Sequence, residues 1–281
     1  MTTRSAVSVR DALDGAITAI DAGGSPSARL DAELLLADAL GTTREQLYSD
    51  PAAAVRGPAV RAFQSHVRRR AVEREPVAYI VGHRAFRRLD LAVDSRVLVP
   101  RPETELLVEL ALALAVGARV LDCCCGSGAV ALALKDERPD LQVTGSDVST
   151  AALELAEANA QALGLDVQWL HADLLTDVGE FDAILSNPPY VAESERATLA
   201  PEIVRHEPPG ALFAGPDGLS VIRALLAQLA ELPDVRFLGL EVGAGQAQPV
   251  ADLTRAAGFD TIRFERDLAR IQRVVVAERR R

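Results

Sequence analysis

No apolar run in this chain is long enough to cross a membrane. A span needs ~18 to 20 residues, and the stretch Leu106 to Val116 is too short and contains Glu109. The chain also lacks dispersed cysteines, since all three are consecutive at Cys123-Cys124-Cys125. Neighbours in one strand form no ordinary disulfide, and the spacing fits no zinc pattern, so a reducing, cytoplasmic setting is expected. Positive charge is not in excess. The formal net charge of −10 argues against bulk nucleic-acid affinity, although it leaves room for a local basic patch. The histidines at 66, 83, 171 and 206 are scattered, so no metal is expected. Met1 to Ile20 is interrupted by Arg4, Arg10, Asp11 and Asp14 and offers no signal-peptide core. No internal repeat is visible. What remains is an ordinarily globular composition, 49% hydrophobic and 25% charged over 281 residues. That is enough for one large or two modest domains with a sizeable core.

Residues 1–75 read as an all-helical bundle. Apolar residues recur at helical spacing in Val7 to Ile20 and Leu30 to Leu40. Ser25-Pro26 reads as an N-cap with proline at the first helical position, and Gly41 as a stop. After breaks at Asp50-Pro51 and Gly57-Pro58, a last helix is expected from about Pro58 to Arg74. Its arginines, at 61, 68, 69, 70 and 74, fit either a solvated face or a docking patch. Residues 76–100 read as a β-hairpin linker, with strands Phe86 to Leu91 and Arg96 to Val99 joined at Asp94-Ser95. Pro100 to Glu105 then opens a helix whose first turn is acidic, as the helix dipole favours.

From residue 101 to 281 strands alternate with helices, the pattern of a mostly parallel sheet. Strands are expected at Arg119–Cys123, Gln142–Ser146, Val167–His171, Ala183–Ser186, Arg236–Glu241, Thr261–Phe264 and Gln272–Ala277. Helices are expected near 129–137, 150–163, 217–231 and 246–257. The gap between the last two strands is too short for a helix, so one of the seven strands should run in reverse.

Two stretches carry chemistry. Asp122 to Gly128 joins the first strand to its helix. Gly126, Ser127 and Gly128 let a ligand approach the backbone, and the helix N-terminus favours an anionic group. About 20 residues on, Asp147 ends the second strand, where a ribose-binding acid belongs. Three features favour S-adenosylmethionine over a dinucleotide. Asp122 suits a cationic amino-acid moiety, with Cys124 and Cys125 beside it. Asp173, followed by Leu174, ends the third strand, where an adenine edge can be read. On the fourth strand, Ser186-Asn187-Pro188-Pro189-Tyr190 provides a place for a methyl acceptor. Two prolines cannot continue a sheet, because neither donates an N–H. The strand therefore stops at its carboxyl end, where open α/β sheets place ligands. An amide oxygen (Asn187), a free carbonyl (Pro188), the rigid Pro189 and an aromatic ring (Tyr190) make a receptor for a planar NH2 group. Asp147 and Asp173 also fit simple strand-end turns.

With these residues in place, the chain resembles the HemK/PrmC release-factor glutamine N5-methyltransferases from end to end. The resemblance is carried by Pro76 to Gly82, Val97 to Glu105 with its Pro-Arg-Pro-Glu-Thr-Glu, Gly126 to Ala129 and Ser186 to Val191. It continues through Glu207-Pro208 with Ala211-Leu212, and Asp217 to Leu219. It implies a seven-stranded Rossmann-like class I methyltransferase domain and an amino-terminal helical domain that clamps a class 1 release factor. It also implies transfer to the glutamine of the factor's Gly-Gly-Gln motif, with no membrane and no stable nucleic-acid partner. Alternatives are methylation of a nucleic-acid amino group, since the Asn-Pro-Pro-Tyr turn serves either acceptor, and a release-factor-binding protein that has lost turnover. The chain departs from the family twice. Cys124 and Cys125 stand where the family usually has Gly and then Thr or Cys, which puts the Cys124 side chain close to the cofactor's amino-acid tail. Asp267 to Arg273 carries Arg270 in place of Gly and Gln272 in place of Asp, in a segment expected to lie outside the site.

Overall fold

Strand Arg119–Cys123 is buried on both faces because its side chains alternate between two cores. Val120 joins a cluster with Leu107, Leu132, Leu134 and Leu185. Leu121 and Cys123 join another, with Ile184, Ile222, Leu225 and Leu240. Near-continuous apolar strands of this kind belong to parallel sheets covered on both sides. The computed structural model describes residues 7–280; Met1 to Ala6, with Arg4, lie outside the described residues. The chain divides into two compact units. One is helical and runs to Gly82, with Ala200–His206 added; the other holds His83–Leu199 and everything from Glu207 on.

The second unit carries a seven-stranded sheet. Its order is Thr261–Arg266, Gln272–Glu278, Phe237–Glu241, Ala183–Ser186, Arg119–Cys123, Gln142–Asp147, Gln168–His171. Gln272–Glu278 runs antiparallel to both of its neighbours, and the remaining pairs are parallel. This is the expected arrangement, including the single reversed strand. The order changes direction beside Arg119–Cys123, where the chain goes out to Gln168–His171 and returns to Ala183–Ser186. Open sheets bind ligands at such a switch point. The Ser186 hydroxyl donates to the Cys123 carbonyl at 2.7 Å and ties the two strand ends together there.

The hairpin lies elsewhere than expected. Its strands are His83–Phe86 and Leu89–Ala92, in register Phe86↔Leu89, so Arg87-Arg88 makes the turn. Phe86, Leu89, Leu91 and Val93 are all buried, and the alternation ends at Val93, with Ser95 exposed. Asp94 takes the Arg96 backbone N–H at 3.0 Å, a local turn that does not fold the chain back on itself. Residues 96–99 are not a strand. The hairpin is fixed by Arg87, whose guanidinium meets Glu137 at 2.8 and 2.9 Å and whose N–H meets Glu105 at 3.1 Å. The buried Asn159 side chain bonds both the Ala92 backbone and the Ser127 carbonyl, joining hairpin to glycine loop.

In the helical unit, Val9–Ala22, Ala28–Leu40 and Pro58–Arg68 pack around Ile20, Leu35, Leu36 and Phe63. Three expectations change here. The second helix begins after Ser27, not at Pro26, because the Ser25 hydroxyl is buried and donates to Asp31 at 2.8 Å. The last helix ends at Arg68 and runs into a π-turn at Arg69–Glu73, closed by Arg74 in the left-handed region. The arginine cluster is in part internal. Arg70 is 4% exposed and meets Asp31 at 2.7 Å and Glu202 at 3.1 Å, while Arg74 meets Glu202 at 2.6 Å. Arg69 pairs with Glu75 and Arg68 with Glu73.

Candidate active site

The carboxyl ends of Arg119–Cys123, Gln142–Asp147 and Ala183–Ser186 open into a cavity of about 540 Å³, within the range of cofactor pockets. Asp122, Cys124, Cys125, Gly126, Ser127, Asp147, Asp173, Leu174, Asn187 and Pro189 line it. Gly128, Pro188 and Tyr190 are not among its lining residues. At Gly128 (φ +80°) a Cβ would come within 2.7 Å of Trp169, and at Gly145 within 2.3 Å. These two glycines make the slot for the one tryptophan, which sequence reading passed over. Gly126 (φ +55°) has open space where a Cβ would stand, so its backbone is accessible to a ligand.

Each acid has a separate local task. Asp147 accepts the Gly126 N–H through Oδ2 and the Ser149 N–H through Oδ1, both at 2.9 Å, which fixes the loop to the second strand. Burial raises its pKa, and those backbone bonds hold the rise back. Asp122 is 2% exposed and accepts the Ala131 N–H at 3.0 Å, at the start of helix Ala129–Glu137. Burial pushes its pKa up to about 7. Cys124 occupies the left-handed region at φ +64°. The Cys123 thiol beside it and burial raise the Cys124 thiol, while burial is the main cause for Cys125; neither is poised as a thiolate.

S-adenosylmethionine carries an ammonium, a sulfonium and a carboxylate, and so is cationic overall. Among the described residues lining the cavity, Asp122, Asp147 and Asp173 are acids and Arg96 is the one base, and Arg96 is already paired with Asp94. Val148, Leu174, Val221 and Ala224 supply an apolar end for a ring. The residues present fit that cofactor.

Around the Asn-Pro-Pro-Tyr turn, Asn187 Nδ2 donates to Thr104 Oγ1 at 3.1 Å. Tyr190 donates to Glu241 Oε1 at 3.3 Å. Arg101 meets both carboxylate oxygens of the buried Glu207 at 2.7 Å, which joins Pro-Arg-Pro to Glu-Pro and sets Pro208 at the cavity wall.

Residues 102–216 match the family model "Methyltransferase small domain", and residues 11–82 match "PrmC N-terminal domain". A release factor glutamine methyltransferase of Pseudomonas aeruginosa is 44% identical over 260 residues, covering 90% of this chain and 94% of that protein. One of Rhodospirillum rubrum is 39% identical over 274 residues, covering 95% and 84%. This chain belongs to the release factor glutamine methyltransferase family. The hMettl16 catalytic domain, solved with MAT2A 3'UTR hairpin 6, shares the fold at TM-score 0.56 and 17% identity, covering 79% of this chain and 81% of that one.

Membership sharpens the two departures. Arg270, where the family pattern has Gly, adopts φ +65°, so both missing glycines fall at left-handed positions. No residue of Asp267 to Arg273 lines the cavity. Asp267 holds Arg273 Nε at 2.9 Å, and the Arg273 charge acts on Tyr190 and Glu241. Sequence reading also did not single out Thr104 or Glu241. Among the described residues no helix is long and apolar enough to cross a membrane.

Proposed function

We propose that this chain, an S-adenosylmethionine-dependent methyltransferase, methylates the side-chain amide nitrogen (N5) of the glutamine in the Gly-Gly-Gln motif of class 1 peptide chain release factors. The observation carrying this reading is the tied-off Asn187: its NH2 is engaged by Thr104, which leaves Oδ1 to accept from an incoming amide. An amide nitrogen is a weak nucleophile, because its lone pair is delocalised into the carbonyl. It has to be held and aimed, and it offers two donors in fixed directions. Asn187 Oδ1 takes one and the Pro188 carbonyl the other, with proline rigidity removing an ordering cost. Tyr190 stacks on the amide plane. The cofactor supplies an electrophilic methyl when bound, and orientation toward it contributes several kcal/mol. The nitrogen sheds its proton only as the methyl arrives, so no strong base is required beforehand.

The helical region 1–75 is read as the release-factor clamp, 76–100 as the linker and 101–281 as the catalytic domain, acting in the cytoplasm without a metal. A duplex-binding enzyme needs a cationic groove. Here Arg68, Arg69, Arg70 and Arg74 are paired with acids of their own unit. The test is incubation with labelled S-adenosylmethionine and either purified release factor or DNA, followed by mass spectrometry of the Gly-Gly-Gln peptide. Label on that glutamine is expected. Label in DNA with none in the peptide overturns the reading, and retained release-factor binding without cofactor binding would mark a protein that has lost turnover.

A further inference from the structure

The Asn-Pro-Pro-Tyr turn is stiff over its first three residues and not at its fourth. Proline locks φ at 188 and 189, and a residue before proline is confined to extended backbone. Asn187 and Pro188 each precede a proline. Tyr190 has neither restriction, yet its ring is the part that meets the substrate amide. A group that fixes the Tyr190 backbone therefore completes the receptor.

The peptide group leaving Tyr190 is bonded on both sides. The Val191 N–H donates to the Leu212 carbonyl at 2.9 Å, and the Tyr190 carbonyl accepts from Gln246 Nε2 at 2.9 Å. The first bond runs from backbone to backbone. The second depends on the side chain of Gln246, which stands just ahead of helix Ala247–Ala256. Its Oε1 accepts the Gly243 N–H at 2.8 Å. A backbone carbonyl only accepts and an N–H only donates, so the two bonds fix which way the Gln246 amide points. A glutamate of the same length could accept from Gly243 but would have nothing to donate to Tyr190.

Two glycines leave room for this amide. A Cβ at Gly218 would collide with the Tyr190 carbonyl oxygen and come within 2.9 Å of Gln246 Nε2. A Cβ at Gly243 would come within 2.8 Å of Gln246 Oε1 and 3.3 Å of the Tyr190 ring. Asp217-Gly218-Leu219, one of the stretches that carry the family resemblance, thereby acquires a physical role. The Tyr190 hydroxyl donates to Glu241 Oε1 at 3.3 Å, so the residue is held at its backbone and at its tip. Gln246 is not part of the cofactor cavity lining.

We propose that Gln246 is a positioning residue of the acceptor site. Its side-chain amide, in the space left by Gly218 and Gly243, sets the Tyr190 backbone and so places the ring against the substrate amide. This rests on the reading of Tyr190 as the acceptor's stacking partner. Without a donor at 246, the Tyr190 carbonyl is free to turn, and the ring moves with it.

The test uses the full chain carrying Gln246→Met, Gln246→Glu, Tyr190→Ala, or Gln246→Met together with Tyr190→Ala. Turnover on purified release factor is measured with calorimetric S-adenosylmethionine affinity and melting temperature. Ring-labelled tyrosine gives resonances for the three tyrosines, Tyr48, Tyr79 and Tyr190, and Tyr190→Ala assigns the third. Gln246→Met and Gln246→Glu should lower kcat on the order of 10- to 100-fold, the scale of a misplaced group, with cofactor affinity nearly unchanged. The Tyr190 resonance should move in both, and those of Tyr48 and Tyr79 should not. In the Tyr190→Ala background, Gln246→Met should lower kcat less than about twofold further, because its effect passes through the ring. A merely structural role would lower the melting temperature and leave kcat per folded enzyme and the Tyr190 resonance alone. Undiminished kcat in folded Gln246→Met, or losses that add in the double variant, overturn the proposal. Gln246→Glu carries the same test if Gln246→Met fails to fold. If the wild-type chain leaves release factor unlabelled, the acceptor reading has failed instead, and an unmoved Tyr190 resonance is then the result that overturns the proposal.

Discussion

In the helical unit the buried Asp31 lies 2.7 Å from Arg70, and the buried Glu33 lies 2.6 Å from Arg44. In the sheet unit Asp122 and Glu241 are buried just as deeply and make no ion pair among the described residues. The first pair of acids is neutralised by arginine; the second is held at about pH 7 by burial. A buried charge with its partner is a structural joint. One without a partner retains the ability to change state or to direct a hydrogen bond, and such groups gather at functional sites. The helical unit's arginines thus hold its own fold together, while the unpaired acids stand around the cavity and the Asn-Pro-Pro-Tyr turn.

Breaking the paired side should have the largest effect. Arg70→Met leaves the buried Asp31 without its arginine, while Glu202 keeps Arg74, a loss of about 3–5 kcal/mol. Chemical denaturation with a probe in the helical unit measures it, and a change within error would mean that the ion pair is solvated. On the unpaired side, Asn187→Ala should lower turnover at least about 100-fold, equivalent to ~3 kcal/mol, with cofactor affinity retained. Calorimetry beside turnover separates the two, and undiminished turnover would remove Asn187 from the mechanism.

Asp122 gives a smaller, pH-dependent contrast. Its folded pKa, about 7, lies above the unfolded value. Its contribution to stability is therefore fully present below about pH 4 and is lost as pH rises through 7. Asp122→Asn should flatten that decline and, above pH 8 without cofactor, be more stable than wild type by on the order of 2 kcal/mol. Melting temperatures at pH 5, 7 and 9 check the sign, and parallel curves for the two proteins would refute the assignment.

The sheet was legible because each central strand buries both faces, and helices Ala129–Glu137 and Thr150–Leu163 fall where expected. The hairpin was not, since its turn is the charged Arg87-Arg88, and the buried alternation Leu89, Leu91, Val93 lies wholly before Asp94-Ser95. The cavity-lining residues sit in short motifs, so Gly126, Asp147 and Asn187 could be named from their neighbours. Their supports could not. Thr104 meets Asn187 across 83 residues of sequence and Arg70 meets Glu202 across 132. Nothing local to Thr104, Glu241 or Glu202 announces those partners.

The smallest effect separates the two departures from the family pattern. Cys124 and Arg270 both hold left-handed backbone, at φ +64° and +65°, a conformation that costs a side-chain-bearing residue about 1–2 kcal/mol relative to glycine. Cys124→Gly and Arg270→Gly should each recover part of this, ~1 kcal/mol in melting or denaturant unfolding, the offset being glycine's greater freedom in the unfolded chain. Their activities should differ. The Cys124 side chain lines the cofactor cavity, so its removal should change S-adenosylmethionine affinity. Arg270 turns a surface loop whose inner end is Arg273, already fixed by Asp267, so Arg270→Gly should leave affinity and turnover alone. If both variants alter cofactor affinity alike, the loop at 267–273 reaches further into the site than the Arg273 charge alone. If neither gains stability, Cys124 and Arg270 are held by contacts that outweigh their backbone strain.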